Sequence, residues 1–211
     1  MDFGCEGERM IDQAVEVISR GGVVIAPEKM GYVFIADAFH TGAAQVIRLA
    51  KGMIPGETLQ VVVADERTLH GLARDLSDEA NALMNKFWPG PLSLVVKSQS
   101  GLNWDVGDGG SQGVFLARCS EAEVIRDIAR KHGPILTATV ALVGGSIART
   151  LAELEPFRSH ADLVIEAQGE FDANVLSTIV DVSGNPPTIL RRGALSLLEL
   201  ASQAPSIRVA S

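Results

Sequence analysis

The chain has 211 residues, 46% of them hydrophobic and 21% charged, with 18 basic against 26 acidic side chains and a formal net charge of -8. That balance excludes a disordered chain, and it excludes broad, salt-driven adhesion to nucleic acid, which needs a surplus of Lys and Arg. Two cysteines, Cys5 and Cys119, exclude a disulfide framework, residues 1–9 lack the apolar centre of a secretory leader, and residues 134–148, the longest uncharged apolar stretch, fall short of the roughly 20 needed to cross a bilayer.

Met10, Ile11, Ala14, Val17 and Ile18 recur at helical spacing and predict a helix over 9–20, ended by Gly21 and Gly22. Strands are expected over 23–26 and 32–36, with a turn after Pro27, then a helix over 42–51 and a strand over 59–64. Ser77 caps a helix with Ala80, Leu83, Met84 and Phe87 on one side, ended by Trp88, Pro89, Gly90 and Pro91. A strand over 92–96, a glycine-rich loop over 101–113 and a strand over 114–117 follow. Ser120 and Glu123 form a capping box for a helix that stops at Gly133. Strands over 135–138 and 163–166 flank a helix near 147–154, residues 178–182 and 188–191 make a late hairpin, and a last helix spans 195–202. Strands and helices interleave without a strict βαβ repeat, and no linker divides the chain. The expectation is a single α/β domain over 1–211, an open, twisted, mixed sheet with flanking helices.

The chemistry-bearing residues divide into idle and useful ones. His40, His70, His132 and His160 lack metal-ligand spacing, so no metal site is expected. Cys119 has no histidine or second cysteine near it in sequence and reads as an idle thiol in a cytoplasmic protein. Gly107, Asp108, Gly109, Gly110 and Ser111 lack the lysine and spacing of a P-loop and read as a flexible loop, and Gly144 with Gly145 reads as a tight connection. Trp88 reads as core. Glu28 and Lys29, adjacent in a polar turn, read as a surface pair.

Several segments together resemble one family. Residues 21–27 (GGVVIAP), Lys51 with Gly52, residues 87–95 (FWPGPLSLV), 136–139 (LTAT), 177–181 (STIVD) and 189–194 (ILRRGA) are similar, in order and across nearly the whole chain, to the YrdC-like family. The resemblance implies an open, concave α/β sheet enclosing a nucleotide-sized cleft. It also implies formation of threonylcarbamoyl-adenylate from threonine, bicarbonate and ATP with Mg²⁺, an early step of a tRNA modification, in which fixed positive charge offsets the phosphates. Carried over residue by residue, it makes Tyr32, Lys51, Thr139, Ser177 and Arg191 the candidates for substrate and nucleotide binding.

The departures from the family pattern fall among the expected binding groups. Where the family reads Thr-Asp-Thr-Val-Tyr-Gly, this chain has Glu28, Lys29, Met30, Gly31, Tyr32 and Val33, and its Lys-x-Arg becomes Lys51, Gly52 and Met53. Its Thr-Ser-Ala-Asn becomes Thr139, Val140, Ala141 and Leu142, and the arginine of its Gly-Val-Arg becomes Phe115. Met30, Met53, Phe115, Val140 and Leu142 thus read as an altered, apolar pocket, either holding a less polar ligand or collapsing to fill the old cavity. Lys29, Arg118 and Arg192 are the compensating cations. The leading expectation from these losses is a binding or regulatory relative without the synthase activity. The alternative is an ATP- and Mg²⁺-dependent enzyme that makes this or a related acyl- or carbamoyl-adenylate, and the third is double-stranded RNA binding. A small molecule or nucleotide is accordingly the expected partner, ahead of RNA, and no membrane is.

Overall fold

Alternation along the strands sorts the side chains onto two faces of one sheet, and the two faces are covered unequally. The structure, a computed structural model, describes residues 3–54, 57–104, 106, 113–172 and 176–210. In chain order, α1 (Phe3–Ser19) leads into the hairpin β1 (Val24–Glu28) and β2 (Gly31–Asp37), and α2 (Thr41–Lys51) precedes β3 (Gln60–Val62). Then come α3 (Glu66–Leu72), β4 (Ala73–Arg74), α4 (Asp78–Phe87), β5 (Leu92–Ser98) and β6 (Val114–Arg118). They are followed by α5 (Glu123–His132), β7 (Ile135–Thr139), α6 (Leu151–Leu154), a 3₁₀ segment (Glu155–His160) and β8 (Leu163–Val164). The chain closes with β9 (Thr178–Asp181), β10 (Thr188–Arg191), α7 (Leu197–Ala201) and β11 (Arg208–Val209).

The strands form one sheet in the order β11-β10-β9-β5-β6-β3-β7-β2-β1-β8, with β4 on β5. It is mixed: β5 runs parallel to β9 and β3 to β6, whereas β5 with β6, β3 with β7 and β2 with β7 are antiparallel. Phe34, Val61, Leu94, Phe115, Leu136 and Val180 point to one face, where Ala43 and Ile47 of α2, Leu69 of α3 and Leu83 with Met84 of α4 bury them. On the other face, Val24, Ile35, Val62 and Ile135 pack against Ala14 and Ile18 of α1 and Ile125 and Ile128 of α5. Those two helices cover only part of that face. Farther along the same strands Val33, Gln60, Leu116, Arg118, Thr137 and Thr139 line a cleft instead. Among the described residues no helix is long and apolar enough to cross a membrane.

Several local expectations hold and others are corrected. Ser77 caps α4 by accepting a hydrogen bond from the Ala80 amide, and the late hairpin pairs Thr188 with Asp181. Ser120 is not the N-cap of α5, which is Ala122 with no side-chain bond: the Ser120 oxygen accepts from the Ala122 amide at 3.1 Å, while its O–H donates to Glu28. The helix expected near 147–154 starts only at Leu151, where Thr150 and Glu153 form a reciprocal capping box that fixes its first turn. The short α3, capped by Asp65, was not expected, since its seven residues include the poor helix formers Thr68, His70 and Gly71. The sequence 107–111 lies outside the described residues.

Candidate functional site

The cleft occupies about 410 Å³ over β3, β6 and β7, between the end of α2 on one side and the start of β9 and end of β10 on the other. Three cations line it, each placed by a local feature of the chain. Gly52, at φ 65° in the left-handed region that glycine adopts freely, caps α2 and leaves Lys51 as its last residue. The ammonium donates to the Thr139 carbonyl at 2.6 Å, the Thr139 Oγ1 at 3.2 Å and the Ala141 carbonyl at 3.1 Å. Burial pushes its pKa below the usual lysine range, only partly opposed by Glu57.

Arg118 reaches the cleft by strand parity. It ends β6 opposite Val62 and Ser93, two residues beyond Leu116, and so lies on the same face. Its Nε donates to the Gly90 carbonyl at 3.1 Å, and its Nη1 lies 3.5 Å from Glu28 Oε2. Glu28 itself accepts from the Ser120 hydroxyl at 2.9 and 3.1 Å and from the Lys29 amide at 3.1 Å.

Arg191 is aimed by an irregularity. A register shift between Ile189 and Arg191 puts Arg191, not Leu190, opposite Ile179, and so on the face of Ser93. Its guanidinium donates to the Ser177 carbonyl at 2.8 and 3.2 Å and to the Ser177 Oγ at 2.9 Å. The Ser93 hydroxyl donates to Ser177 Oγ at 3.0 Å, and Gln60 Nε2 donates to Ser93 Oγ at 2.7 Å. Burial, and then the like charge of Arg118, lowers the Arg191 pKa. Two guanidinium groups near each other across an open cleft, with Lys51 on its rim, make an environment that attracts polyanions and orients planar, bidentate donors toward them.

The candidates drawn from sequence separate clearly. Lys51, Thr139, Ser177, Arg191 and Arg118 come together at the cleft, with Met30 and Met53 on its wall. Lys51 is buried, not solvated, because the β7 end folds over it. Tyr32 is on the opposite face of β2 from Val33: its hydroxyl accepts from the Ala167 amide and its ring meets Phe171 edge-on at 5.0 Å. Phe115 falls one residue out of phase with Leu116 and packs on Trp104, 4.8 Å between centroids, inside the core. Val140 is buried in that same core, and Leu142 is 61% exposed. The five apolar replacements therefore neither build one pocket nor fill a cavity. Lys29 is outside, paired with Glu121 at 2.9 Å, and the expected surface pair with Glu28 is absent because the Glu28 carboxylate is buried toward Arg118. Arg192 lines a separate pocket with Leu195 and Leu197.

Sequence reading missed Glu28, Gln60 and Leu116 at the cleft and the buried Ser93 that bonds its lining residues Gln60 and Ser177. Gln60 carried a signal, a polar residue beside Val61, but in a strand of three residues the period does not stand out, and Leu116 beside Ala117 carried none. Among the described residues no group of three or more His, Cys, Asp or Glu is placed to hold a metal ion. Of the described residues lining the cleft, Glu28 alone carries a carboxylate.

A Mycobacterium tuberculosis protein provisionally named a threonylcarbamoyl-AMP synthase is 32% identical over 197 residues, 92% of this chain and 88% of the relative. The threonylcarbamoyl-AMP synthase of Pyrococcus abyssi is 31% identical over 198 residues, 93% of this chain and 57% of that protein. Among solved structures, Pyrococcus abyssi Sua5 complexed with L-threonine superposes with a TM-score of 0.87 at 28% identity, covering 96% of this chain and 59% of the other, so this chain spans about three fifths of its length. Escherichia coli YciO superposes at 0.80, covering 92% of this chain and 93% of the other, and at 19% identity shows the fold alone. The family model of Sua5, YciO and YrdC, described as "Telomere recombination", matches residues 16–193. With its mixed sheet and the cleft left open beside α1 and α5, the chain belongs to the Sua5/YciO/YrdC family.

Proposed function

We propose that this protein is an ATP-dependent adenylate-forming enzyme of the threonylcarbamoyl-AMP synthase type. The observation that carries the reading is the convergence of Lys51, Arg118 and Arg191 on one open cleft. In such a reaction a carbamate oxygen attacks the α-phosphate and pyrophosphate leaves, so the protein's contribution is to hold the two ends in line and offset developing charge. Arg118 and Arg191 are the residues suited to the phosphates, with Ser177 and Gln60 supplying neutral hydrogen bonds. Lys51 contributes its field, since its N–H groups already serve Thr139 and Ala141. Magnesium fits as a partner of the nucleotide and not of a protein cage: Glu28 is already engaged, and Mg²⁺ commonly takes phosphate oxygens and water as most of its ligands.

The open cleft and the names of the relatives favour this reading over a protein that has lost its chemistry. A second reading concerns the acid. Met30, Met53, Ile147 and Leu176 are apolar members of the lining, which favours an acid less polar than threonine. Incubation with ATP, Mg²⁺, bicarbonate and threonine, or a panel of apolar amino acids, followed by mass spectrometry, tests both. An adenylate and equimolar pyrophosphate are expected, with yield reduced about a hundredfold by Arg191→Ala, the usual scale for loss of one charge-stabilising donor. No adenylate from any acid would overturn the proposal.

A further inference from the structure

We propose that Glu28 is a specificity-determining residue, a built-in counter-anion that sets how much negative charge the cleft accepts. The inference rests on the nucleotide reading of the same cleft and adds to it the selection among phosphate ligands. Glu28 is the last residue of β1, paired in register with Gly31, so its backbone is fixed by the hairpin. Its side chain is only 7% exposed, and among the described residues it is the single carboxylate on a lining that carries Lys51, Arg118 and Arg191.

What holds Glu28 in place is not Arg118. The Ser120 hydroxyl and the Lys29 amide together make three contacts of 2.9 to 3.1 Å with the carboxylate. The approach of Arg118 Nη1, at 3.5 Å, is longer than a good charged hydrogen bond. The carboxylate is therefore a fixed negative charge beside a guanidinium that keeps donor capacity for an incoming oxyanion. It reduces the cleft's local surplus from three positive charges to two. A ligand with several charges, such as pyrophosphate, is repelled more than one whose phosphoryl group bears a single charge, such as the mixed anhydride of an acyl-adenylate. In the proposed reaction that difference favours departure of pyrophosphate while the adenylate stays bound.

The test measures binding of pyrophosphate, AMP and adenosine by calorimetry to the full chain, to Glu28→Gln and to Glu28→Thr. Gln keeps one acceptor oxygen for Ser120 and removes the charge, exchanging the other oxygen for an amide donor, and Thr supplies a smaller neutral side chain without that donor group. The expected result is pyrophosphate bound about tenfold tighter by the neutral variants, AMP tightened by a smaller factor and adenosine unchanged, as a charge effect requires. Anion-induced rise of the melting temperature, larger in the variants than in the parent, reads the same difference if the variants are less stable. Equal pyrophosphate affinity in parent and variants, or an equal gain for adenosine, overturns the role of Glu28 while leaving the cleft a nucleotide site. Binding of no phosphate ligand by any of the three proteins overturns the nucleotide reading along with it. Failure of both neutral variants to fold also overturns the proposal, since it would assign Glu28 to holding the strand end.

Discussion

Cys119 follows Arg118 directly, yet the two side chains live in different environments. The thiol is buried and donates to the Ala64 carbonyl at 3.2 Å, and burial pushes its pKa up to about 11. Arg118, Arg126 and Arg130 pull the other way and do not prevail. Because the folded pKa is raised, the stability tied to the protonated thiol is fully present below the pKa of the unfolded chain, 9.0, and is lost as pH rises through about 11. Chemical denaturation of the protein and of Cys119→Ala at several pH values is expected to show the parent declining more steeply between pH 9 and 11. Parallel profiles would refute it. The thiol is also expected to resist alkylation at pH 8 in the folded state. Isolation in sequence points to an idle thiol, and burial, which no motif reveals, works in the same direction.

The hairpin of β1 and β2 shows how an element shapes the site. Gly31 has φ 149°, and a Cβ there would meet Ile147 Cγ2 at 2.5 Å and the Ala148 carbonyl at 2.8 Å. Gly145 and Ile147 line the cleft, and their segment is tied to β2 by the Tyr32 amide, which donates to the Ala148 carbonyl at 2.9 Å. Gly31→Ala therefore has to strain the turn or push that segment outward. A loss of about 1–3 kcal/mol in denaturant unfolding is expected, together with weaker ATP binding; an unchanged midpoint would show that the segment yields freely. The register shift in β10 works in the same way at the opposite edge, giving the cleft Arg191 and leaving Leu190 half exposed. Neither device is legible from periodicity, because each depends on which residue of a partner strand lies opposite.

Across the whole molecule, one face of the sheet carries a complete apolar layer and the other an incomplete one. The opening in that second layer is where the three cations sit, so ligand binding should stabilise the fold by mass action. ATP at about a hundred times its dissociation constant contributes about 2.7 kcal/mol, which for a domain of this size raises the melting temperature by about 5 to 10 °C. Absence of any shift with ATP, pyrophosphate or AMP would remove the nucleotide site. The chain's net charge of -8 and the confinement of Lys51, Arg118 and Arg191 to a cleft make a duplex RNA surface the weaker reading, because a backbone needs cations spread along its track. Sequence alone determined most of the strands and helices, the mixed sheet and the family, since the hydrophobic period and segments such as 87–95 and 177–181 are local and survive substitution around them. It also singled out Lys51, Ser177 and Arg191. Only the tertiary structure decided that Phe115 and Val140 belong to the core, that Arg118 faces the cleft, and that Glu28 is turned inward against it. Those outcomes depend on strand parity, a register shift and a hydroxyl from 92 residues away, and a face of a sheet exists only once its strands are paired.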